Sequence, residues 1–241
     1  RAGPDPAADA QPPLVTVIIP AYNREHMLGE AIANVRAQGY PALDLIVVDD
    51  GSTDGTADVA RAHPEVRLFD QPNSGPAQAR NRGIINARGA YLAFMDSDDL
   101  WPDGMLNLLV KTMDEDPSID VVMGWPQLAR RLASGDYEYE GNPVEGFHSY
   151  ITGTVFRREA FSKVGLFDAD LRFGEDNDWF ERANECGAKV RRLDCTSVII
   201  RRHGGNMTHG KNLVQLNVLR VFKKALDRKR AGGPAPGDEP N

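Results

Sequence analysis

The stretch Tyr91-Leu-Ala-Phe-Met-Asp-Ser-Asp-Asp99 joins a short apolar run to three carboxylates in four residues. The run has the length and composition of a buried strand. In extended backbone alternate side chains share a face, so Asp96 and Asp98 point the same way. Carboxylates this close raise one another's pKa unless a cation binds between them, and oxygen ligands suit Mg²⁺ or Mn²⁺. Alternatively, Asp99 begins the next helix, because Trp101-Pro102 has the character of a helix N-terminus.

The same succession of an apolar run and an amphipathic stretch repeats through the first half of the chain. The pairs are 14–19 with 26–38, 45–48 with 54–62, 66–69 with 76–87, and 91–95 with 103–113, before a last run at 119–123. This alternation predicts an α/β fold with a Rossmann-like, mostly parallel, twisted sheet and helices on both faces. Ligands bind at the carboxyl ends of the strands in such sheets. We therefore expect Asp49 and Asp50, after the second run, to share an edge with Asp96–Asp99.

The regular alternation fades after residue 124. The second half of the chain is predicted to contain strands around 127–131 and 137–140, a segment at 147–156, a helix near 176–186, and strands at 189–193 and 197–201. Without a linker to divide it, this half is expected to elaborate the same domain. The two ends, 1–13 and 231–241, have the composition of flexible tails and are left out of the fold.

Residues 211–230 form a predicted amphipathic helix with a basic end. Such a helix either packs on its own domain or makes peripheral contact with an anionic membrane surface. Both alternatives stay open in the sequence.

The composition limits the possible functions. With 241 residues, 41% hydrophobic and 26% charged, the chain is typical of a soluble globular protein with one large domain. A net charge of −7 argues against a nucleic-acid partner. The two cysteines are too few for a disulfide scaffold and lack zinc-binding spacing, which favours a reducing compartment. With no leader or bilayer-spanning run, we expect a cytoplasmic protein, or one peripheral at the inner membrane face.

Five sequence blocks together carry a family resemblance. They are Val15-Thr-Val-Ile-Ile-Pro-Ala-Tyr-Asn-Arg24, Val48-Asp-Asp-Gly-Ser-Thr-Asp-Gly55, Asn73-Ser-Gly-Pro-Ala-Gln-Ala-Arg-Asn-Arg-Gly83, Phe94-Met-Asp-Ser-Asp-Asp99 and Gly174-Glu-Asp-Asn-Asp-Trp179. Each block is weak alone, but their order resembles the family 2 glycosyltransferases, which are inverting enzymes of the GT-A fold with a DXD motif. The resemblance implies one GT-A domain over 14–230. Its parts are a nucleotide-sugar-binding half (14–123), an acceptor and catalytic half (124–210) and the C-terminal helix (211–230).

The resemblance implies a nucleotide-diphosphate sugar donor, UDP- or dTDP-linked. The ring of Tyr22 could stack on the base, Asp50 would accept a hydrogen bond from a pyrimidine N–H, and Arg80 would face the diphosphate. The implied donor-binding residues are Pro20, Ala21, Tyr22, Asn23, Arg24, Asp50, Gly75, Arg80, Asp96 and Ser97. Ordinary alternatives stay open: an edge aromatic for Tyr22, a turn or cap for Asp50, and a counter-charge to Asp49 or Asp96 for Arg80.

In the family's DXD motif, here Asp96-Ser97-Asp98, the last Asp binds the metal and the first reaches the ribose or the metal through water. The resemblance thus implies Mn²⁺ or Mg²⁺, held by Asp98, Asp96 and a late histidine, His203. The ion would neutralise charge on the leaving diphosphate. His203 could instead be a simple hydrogen-bonded side chain. With this assignment, Asp99 is better explained by the start of the following helix.

The last block implies the catalytic base. In the family that position is Asp176, which would take the proton from the acceptor hydroxyl. Glu175 is a neighbour that the residues alone do not exclude, and Trp179 could offer a face to a sugar ring on the acceptor side. Otherwise the acids simply favour the helix N-terminus and the tryptophan is core.

Two other functions compete with sugar transfer. One is a non-catalytic sugar-nucleotide-binding protein, although every charged position expected of the enzyme is present. The other is a metal-dependent nucleotidyltransferase, which the absence of a Gly-rich, Lys-containing phosphate loop disfavours. The acceptor is left open among a saccharide, a lipid-linked intermediate, a peptide and a small molecule.

Overall fold

The computed structural model describes residues 11–145, 150–204 and 218–230. Strands and helices alternate in the first half: β1 (Val15–Ala21), α1 (Leu28–Ala37), β2 (Leu43–Asp49), α2 (Thr56–Arg61), β3 (Val66–Asp70), α3 (Pro76–Asn86), β4 (Tyr91–Phe94) and α4 (Met105–Glu115). The second half contains β5 (Val121–Arg131), β6 (Tyr137–Glu140), β7 (Thr154–Arg157), α5 (Arg158–Val164), α6 (Glu175–Glu185), β8 (Val190–Arg202) and α7 (Val218–Arg230).

The strands of the described residues form one sheet in the order β3-β2-β1-β4-β7-β5-β6, and β8 also pairs with β5. Neighbours among β1 to β4 are parallel, as are β5 and β8. Strand β7 runs antiparallel between β4 and β5, and β6 is antiparallel to β5. The predicted mostly parallel α/β sheet is confirmed, and the antiparallel pairs belong to the less regular second half.

Helices cover both faces of the sheet, as the alternating side chains of β1 require. Val17 and Ile19 lie in one hydrophobic core with residues of α1 and α4, whereas Ile18 lies in a second core with residues of α3, α5 and α6. Helix α3 crosses β1 so closely that a Cβ atom on Gly83 would come within 2.4 Å of Ile18 Cγ2. These two cores fix the strands, and therefore the edge at which their carboxyl ends meet.

Some predicted boundaries are wrong. The two strands expected at 189–193 and 197–201 are one strand, β8, and the strand expected at 127–131 is the end of β5. Helix α5 was not predicted. Helix α4 begins at Met105, after a left-handed Gly104 with φ 71°, and does not begin at Pro102. Asp99 therefore does not begin this helix, and its carboxylate is used by other partners.

The C-terminal helix is described only from residue 218, so the predicted segment 211–217 lies outside the described residues, as do the tail at 231–241 and most of the tail at 1–13. None of the described helices has both the length and the apolar character needed to cross a bilayer.

Candidate active site

The segments that follow β1, β4 and β8 meet at one edge of the sheet. Arg24, after β1, places Nη2 3.3 Å from Oδ2 of Asp98, after β4. His203, after β8, places Nε2 3.1 Å from the same oxygen. Arg80, on α3, donates to Oδ1 of Asp96 at 2.6 Å. The fold therefore gathers five of the predicted site residues, Arg24, Arg80, Asp96, Asp98 and His203, around one acidic turn.

Side chains alternate along this turn. Those of Asp96 and Asp98 are 27% and 15% exposed, whereas Ser97 and Asp99 are buried. Asp96 and Asp98 thus face the open side of the sheet edge. Arginine side chains from two other elements contact them, so part of the repulsion between these carboxylates is already offset by the protein.

Asp99 has a structural role that the sequence did not reveal. Its Oδ2 accepts a hydrogen bond from the Tyr150 hydroxyl at 3.0 Å, and its Oδ1 accepts one from the Arg201 backbone N–H at 3.3 Å. Burial, together with the charges of Asp98 and Asp96, raises the pKa of Asp99 well above its ordinary value. Asp99 therefore fastens the acidic turn to its neighbours, and only Asp96 and Asp98 are directed to the open edge.

Asp98 and His203 are the side chains best placed to bind a divalent ion. Among the described residues no group of three His, Cys, Asp or Glu side chains is arranged as a metal site. A Mg²⁺-type ion, however, is often held by one or two protein ligands and completed by substrate phosphates. A carboxylate and an imidazole whose contacting atoms are 3.1 Å apart fit that kind of site. Asp96 is less suited to direct ligation because the buried Arg80 holds it at 2.6 Å, whereas Arg24 lies 3.3 Å from Asp98.

Arg201 is a site residue that the sequence analysis missed. It is only 4% exposed, and its guanidinium donates to the backbone carbonyl of Asp98 and to the Glu30 carboxylate on α1. Strand β8 and the residue that follows it therefore supply a side chain that holds the Asp98 backbone and the His203 ring. The run Arg201-Arg-His203 contains no signal that distinguishes its buried arginine from its exposed one.

Arg80 connects the acidic turn to the start of α6. Its Nη1 donates to Glu175 Oε1 at 2.5 Å, while its Nη2 contacts Asp96. Burial opposes the positive charge of Arg80, but the two carboxylates outweigh this effect and raise its pKa. Of the alternatives that the sequence left open for Arg80, the counter-charge to Asp96 is the contact found in this structure.

The two acids that begin α6 have different surroundings. Burial raises the pKa of Glu175 to about 7, although Arg80 acts in the opposite direction. Burial also raises the pKa of Asp176 above its ordinary value. Asp176 is partly buried, and its Oδ1 accepts a hydrogen bond from the Asn177 backbone N–H at 2.8 Å. Glu175 is thus held in an ion pair, whereas Asp176 is hydrogen-bonded only to the backbone among the described residues.

The segment after β1 is tied to the segment after β2. Asn23 has φ 51°, a left-handed conformation that asparagine tolerates, and its Oδ1 accepts a hydrogen bond from Thr53 N at 2.8 Å. Next to it, Tyr22 is 45% exposed. The ring is therefore accessible to a flat ligand, whereas Ala21 is buried and Pro20 is half-buried.

Asp50 holds the loop that leads into α3. Its Oδ1 accepts hydrogen bonds from Gln71 Nε2 and Ser74 N, and its Oδ2 accepts one from Gly75 N, each at 2.8 Å. Gly75 has φ 91°, so the conformation of the backbone is what requires glycine at this position. The contact of Asp50 with a nucleobase stays a prediction.

Asp50 has neither of the two structural roles that the sequence left open for it, a turn and a helix cap. Two neighbouring aspartates have these roles. Asp49 Oδ1 accepts a hydrogen bond from Ser52 N at 3.0 Å, which shapes the turn after β2. Asp54 Oδ1 accepts one from Thr56 N at 3.0 Å, where α2 begins.

Trp179 lies in the protein core and not on the acceptor side. It is 0% exposed, its indole N–H donates to the Gly165 carbonyl at 2.9 Å, and its ring lies 5.2 Å from that of Phe156 between centroids. The assignment of Trp179 to the acceptor side is wrong in this structure, because the inward face of α6 carries it into the second core.

Residues 16–165 match the family model described as "Glycosyl transferase family 2". The chain therefore belongs to glycosyl transferase family 2, as the five sequence blocks predicted. Among its relatives, the uncharacterized glycosyltransferase EpsJ of Bacillus subtilis is 30% identical over 217 residues, covering 81% of this chain and 63% of EpsJ. The uncharacterized glycosyltransferase RC0461 of Rickettsia conorii is 40% identical over 181 residues, covering 67% of this chain and 28% of that protein. The chain thus spans less than two thirds of either relative.

Solved structures agree with the fold. The structure of S. aureus TarS in complex with UDP-GlcNAc aligns with a TM-score of 0.76 at 19% identity, covering 92% of this chain and 68% of that one. The mannosyltransferase PcManGT from Pyrobaculum calidifontis, in complex with GDP-Man and Mn²⁺, aligns with a TM-score of 0.66 at 23% identity, covering 94% and 66%. These likenesses confirm the predicted GT-A fold.

Proposed function

We propose that this protein is an inverting, metal-dependent glycosyltransferase that moves a sugar from a nucleotide-diphosphate sugar, UDP- or dTDP-linked, to an acceptor nucleophile. The observation that carries the proposal is the position of Arg80, which contacts both Asp96 of the DXD motif and Glu175 beside the candidate base. The donor side and the catalytic side of the reaction are thereby adjacent. That TarS and PcManGT are described with UDP-GlcNAc and GDP-Man supports a nucleotide-sugar donor.

Asp176 is proposed as the catalytic base. Glu175 forms an ion pair with Arg80, which opposes its protonation. Asp176 accepts a hydrogen bond from the backbone of Asn177, so of these two acids it is the better proton acceptor. It would take the proton of the acceptor hydroxyl as that oxygen attacks the anomeric carbon opposite the leaving diphosphate. A pKa raised by burial makes a carboxylate a stronger base near neutral pH.

Asp98 and His203 are proposed as the protein ligands of the Mn²⁺ or Mg²⁺ ion. When bound, the ion would neutralise charge that develops on the nucleoside diphosphate as the sugar leaves. Arg24, 3.3 Å from Asp98, adds positive charge on the same side. Tyr22, exposed after β1, is proposed to stack on the nucleobase, and Asp50, which also holds the loop leading into α3, to accept a hydrogen bond from a pyrimidine N–H.

Donor hydrolysis provides the test, because many transferases slowly hydrolyse their donor without an acceptor. The protein is incubated with UDP-glucose, UDP-GlcNAc, dTDP-glucose or GDP-mannose, each with Mn²⁺, Mg²⁺ or EDTA, and the nucleoside diphosphate is quantified. We expect release with at least one UDP- or dTDP-sugar and its loss in EDTA. The free sugar, or a glycoside formed with an added alcohol, should have the anomeric configuration opposite to that of the donor.

Two further measurements separate the competing functions. Pyrophosphate released from a nucleoside triphosphate and a sugar 1-phosphate would indicate a nucleotidyltransferase. Metal-dependent binding of a donor without turnover, with any acceptor, would indicate a binding protein. Either result would overturn the proposal.

A further inference from the structure

One side of α7 is fixed to the domain. Arg228 donates to Asp178 at 3.0 Å and to Glu185 at 2.8 Å, both on α6. Lys224 pairs with Asp168 in the loop before α6, and Val221 is 7% exposed. Val221, Lys224 and Arg228 are spaced by three and four residues, so they lie on one helix face. Part of the basic character noted in the sequence is therefore used to hold the helix on its own domain.

The opposite side of α7 carries large apolar side chains exposed to solvent. Leu219, Phe222 and Leu226 are 67%, 64% and 53% exposed, and they follow the same spacing of three and four residues. This apolar stripe is covered by no other part of the chain that the structure describes. Removing the stripe would not disturb the contacts with α6, so the fold alone does not account for it.

Basic side chains border the apolar stripe. Lys223 and Arg230 lie on one side of it and Lys229 on the other, because residues seven apart occupy nearly the same position on a helix. Within the described residues none of these three makes an ion pair, although the chain as a whole has a net charge of −7. The outward face of α7 is therefore both apolar and locally positive, which is complementary to an anionic lipid surface and poorly suited to a basic or neutral partner.

We propose that the outward face of α7, formed by Leu219, Phe222, Leu226 and the three basic residues, docks on an anionic lipid bilayer. The apolar side chains would enter the headgroup region while the lysines and the arginine contact lipid phosphates. The proposal goes beyond sugar transfer and does not require it.

The position of α7 connects this surface to the candidate site. Arg220, near the start of α7, donates to the Asp170 carbonyl at 3.1 Å. Arg172, in the same loop as Asp170, donates to Asn73 Oδ1 at 3.4 Å, in the loop that leads into α3. The loop that contains Asp170 and Arg172 leads directly into Glu175 and Asp176. Docking through α7 would therefore place a bilayer against the helix that contacts the loop leading into the candidate base.

Vesicle sedimentation of the whole chain tests the proposal. Vesicles of phosphatidylcholine alone are compared with vesicles that also contain phosphatidylglycerol. We expect binding to the anionic vesicles only, with a partition coefficient reduced about tenfold by Phe222→Ser. The double change Lys223→Glu with Lys229→Glu, and added salt, should weaken binding several-fold.

Two matched variants serve as controls. Ile85, 70% exposed on α3, is changed to Ser, and Arg131, exposed at the end of β5, is changed to Glu; neither should alter vesicle binding. Circular dichroism establishes that all variants are folded. Absence of binding to anionic vesicles, or binding unchanged by the α7 variants, would overturn the proposal. So would a Phe222→Ser variant that dissociates a dimer in sedimentation velocity without lipid, since the stripe would then be an interface between two copies.

The readouts also separate this proposal from the proposed function. Donor hydrolysis in detergent-free buffer does not depend on lipid, so the α7 variants should retain it. If neither the unchanged protein nor any variant hydrolyses a donor, the proposed sugar transfer is overturned. Vesicle binding would still test the docking of α7 by itself.

Discussion

The Nε2 atom of His203 lies 3.1 Å from the Oδ2 atom of Asp98, although 105 residues separate them in the chain. An isolated β-bridge explains the approach, because Leu100 and Ile199 exchange backbone hydrogen bonds of 3.1 and 2.7 Å. The end of β8 is thereby held against the segment that follows β4. Two candidate ligands from opposite halves of the domain are thus positioned by backbone pairing before any ion binds.

Replacing His203 with alanine should weaken activation by metal. Changes that only affect the outer shell of a metal site lower affinity by about 10- to 100-fold, so loss of a ligand should raise the half-activating Mn²⁺ concentration at least about tenfold. Donor hydrolysis measured across a Mn²⁺ titration provides the value. His63→Ala is the control, since His63 lies beside Glu65 on another part of the surface. An unchanged titration in His203→Ala would remove this residue from the metal site.

Asp176→Asn should abolish most of the catalysis while the donor still binds. Loss of a general base costs about 100- to 10,000-fold in rate, whereas the donor contacts proposed here do not involve this side chain. Single-turnover hydrolysis gives the rate, and calorimetric titration with the donor and Mn²⁺ gives the affinity. Glu181→Gln, an exposed change on the same helix, is the control. Full activity in Asp176→Asn would exclude Asp176 as the base.

Activity should fall as the pH is lowered. A base must be deprotonated, and burial raises the pKa of Glu175 to about 7 and that of Asp176 above its ordinary value. On acidification these acids therefore become protonated at a higher pH than exposed carboxylates do, and kcat/KM should decline below about pH 7. The apparent pKa of this decline belongs to the pair Glu175 and Asp176 and not to one of the two residues. The profile is measured at saturating Mn²⁺. In Glu175→Gln the decline should move to lower pH; a flat profile from about pH 5 to 8 would contradict this interpretation.

Arg201→Met should destabilise the protein and disturb the acidic turn. The buried guanidinium donates to the Asp98 backbone carbonyl and to the exposed Glu30 carboxylate, and leaving that carbonyl without its donor is expected to lower the free energy of unfolding by about 1–3 kcal/mol. Urea denaturation measures the change. The neighbouring Arg202→Met, at an exposed position, should cost less than about 0.5 kcal/mol. Equal effects of the two changes would show that Arg201 has no special positioning role.

Trp179→Phe should reduce stability without changing the apparent KM for the donor. The substitution leaves space in the aromatic core and removes the hydrogen bond to Gly165, with an expected loss of about 1–3 kcal/mol. Thermal and urea unfolding measure the loss, and hydrolysis below the melting temperature gives the KM. Trp125→Phe, at a half-buried position, should cost less. A large change in KM with unchanged stability would return Trp179 to the substrate site.

Local patterns in the sequence were sufficient to predict most of the strands and helices in the first half of the chain. Short apolar runs separated by amphipathic stretches predicted β1 to β4 with α1 to α4, because strand and helix periodicities are properties of neighbouring residues. The expectation that the acidic segments after β2 and β4 share an edge came from the parallel connections alone. In the second half, β6 and α6 were predicted to within a residue, whereas α5 and the continuity of β8 were not.

The roles of individual side chains depended on contacts that no local pattern contains. Arg201 is buried whereas Arg202 is exposed, and Trp179 lies in the core. Asp99 is buried and accepts a hydrogen bond from Tyr150, and it does not begin a helix. The sequence by itself determined the family, the sheet and the acids at its edge. Only the tertiary structure decided which side chains face those acids, because Arg24, Arg80 and His203 reach them from elements brought near by packing of the sheet and its two cores.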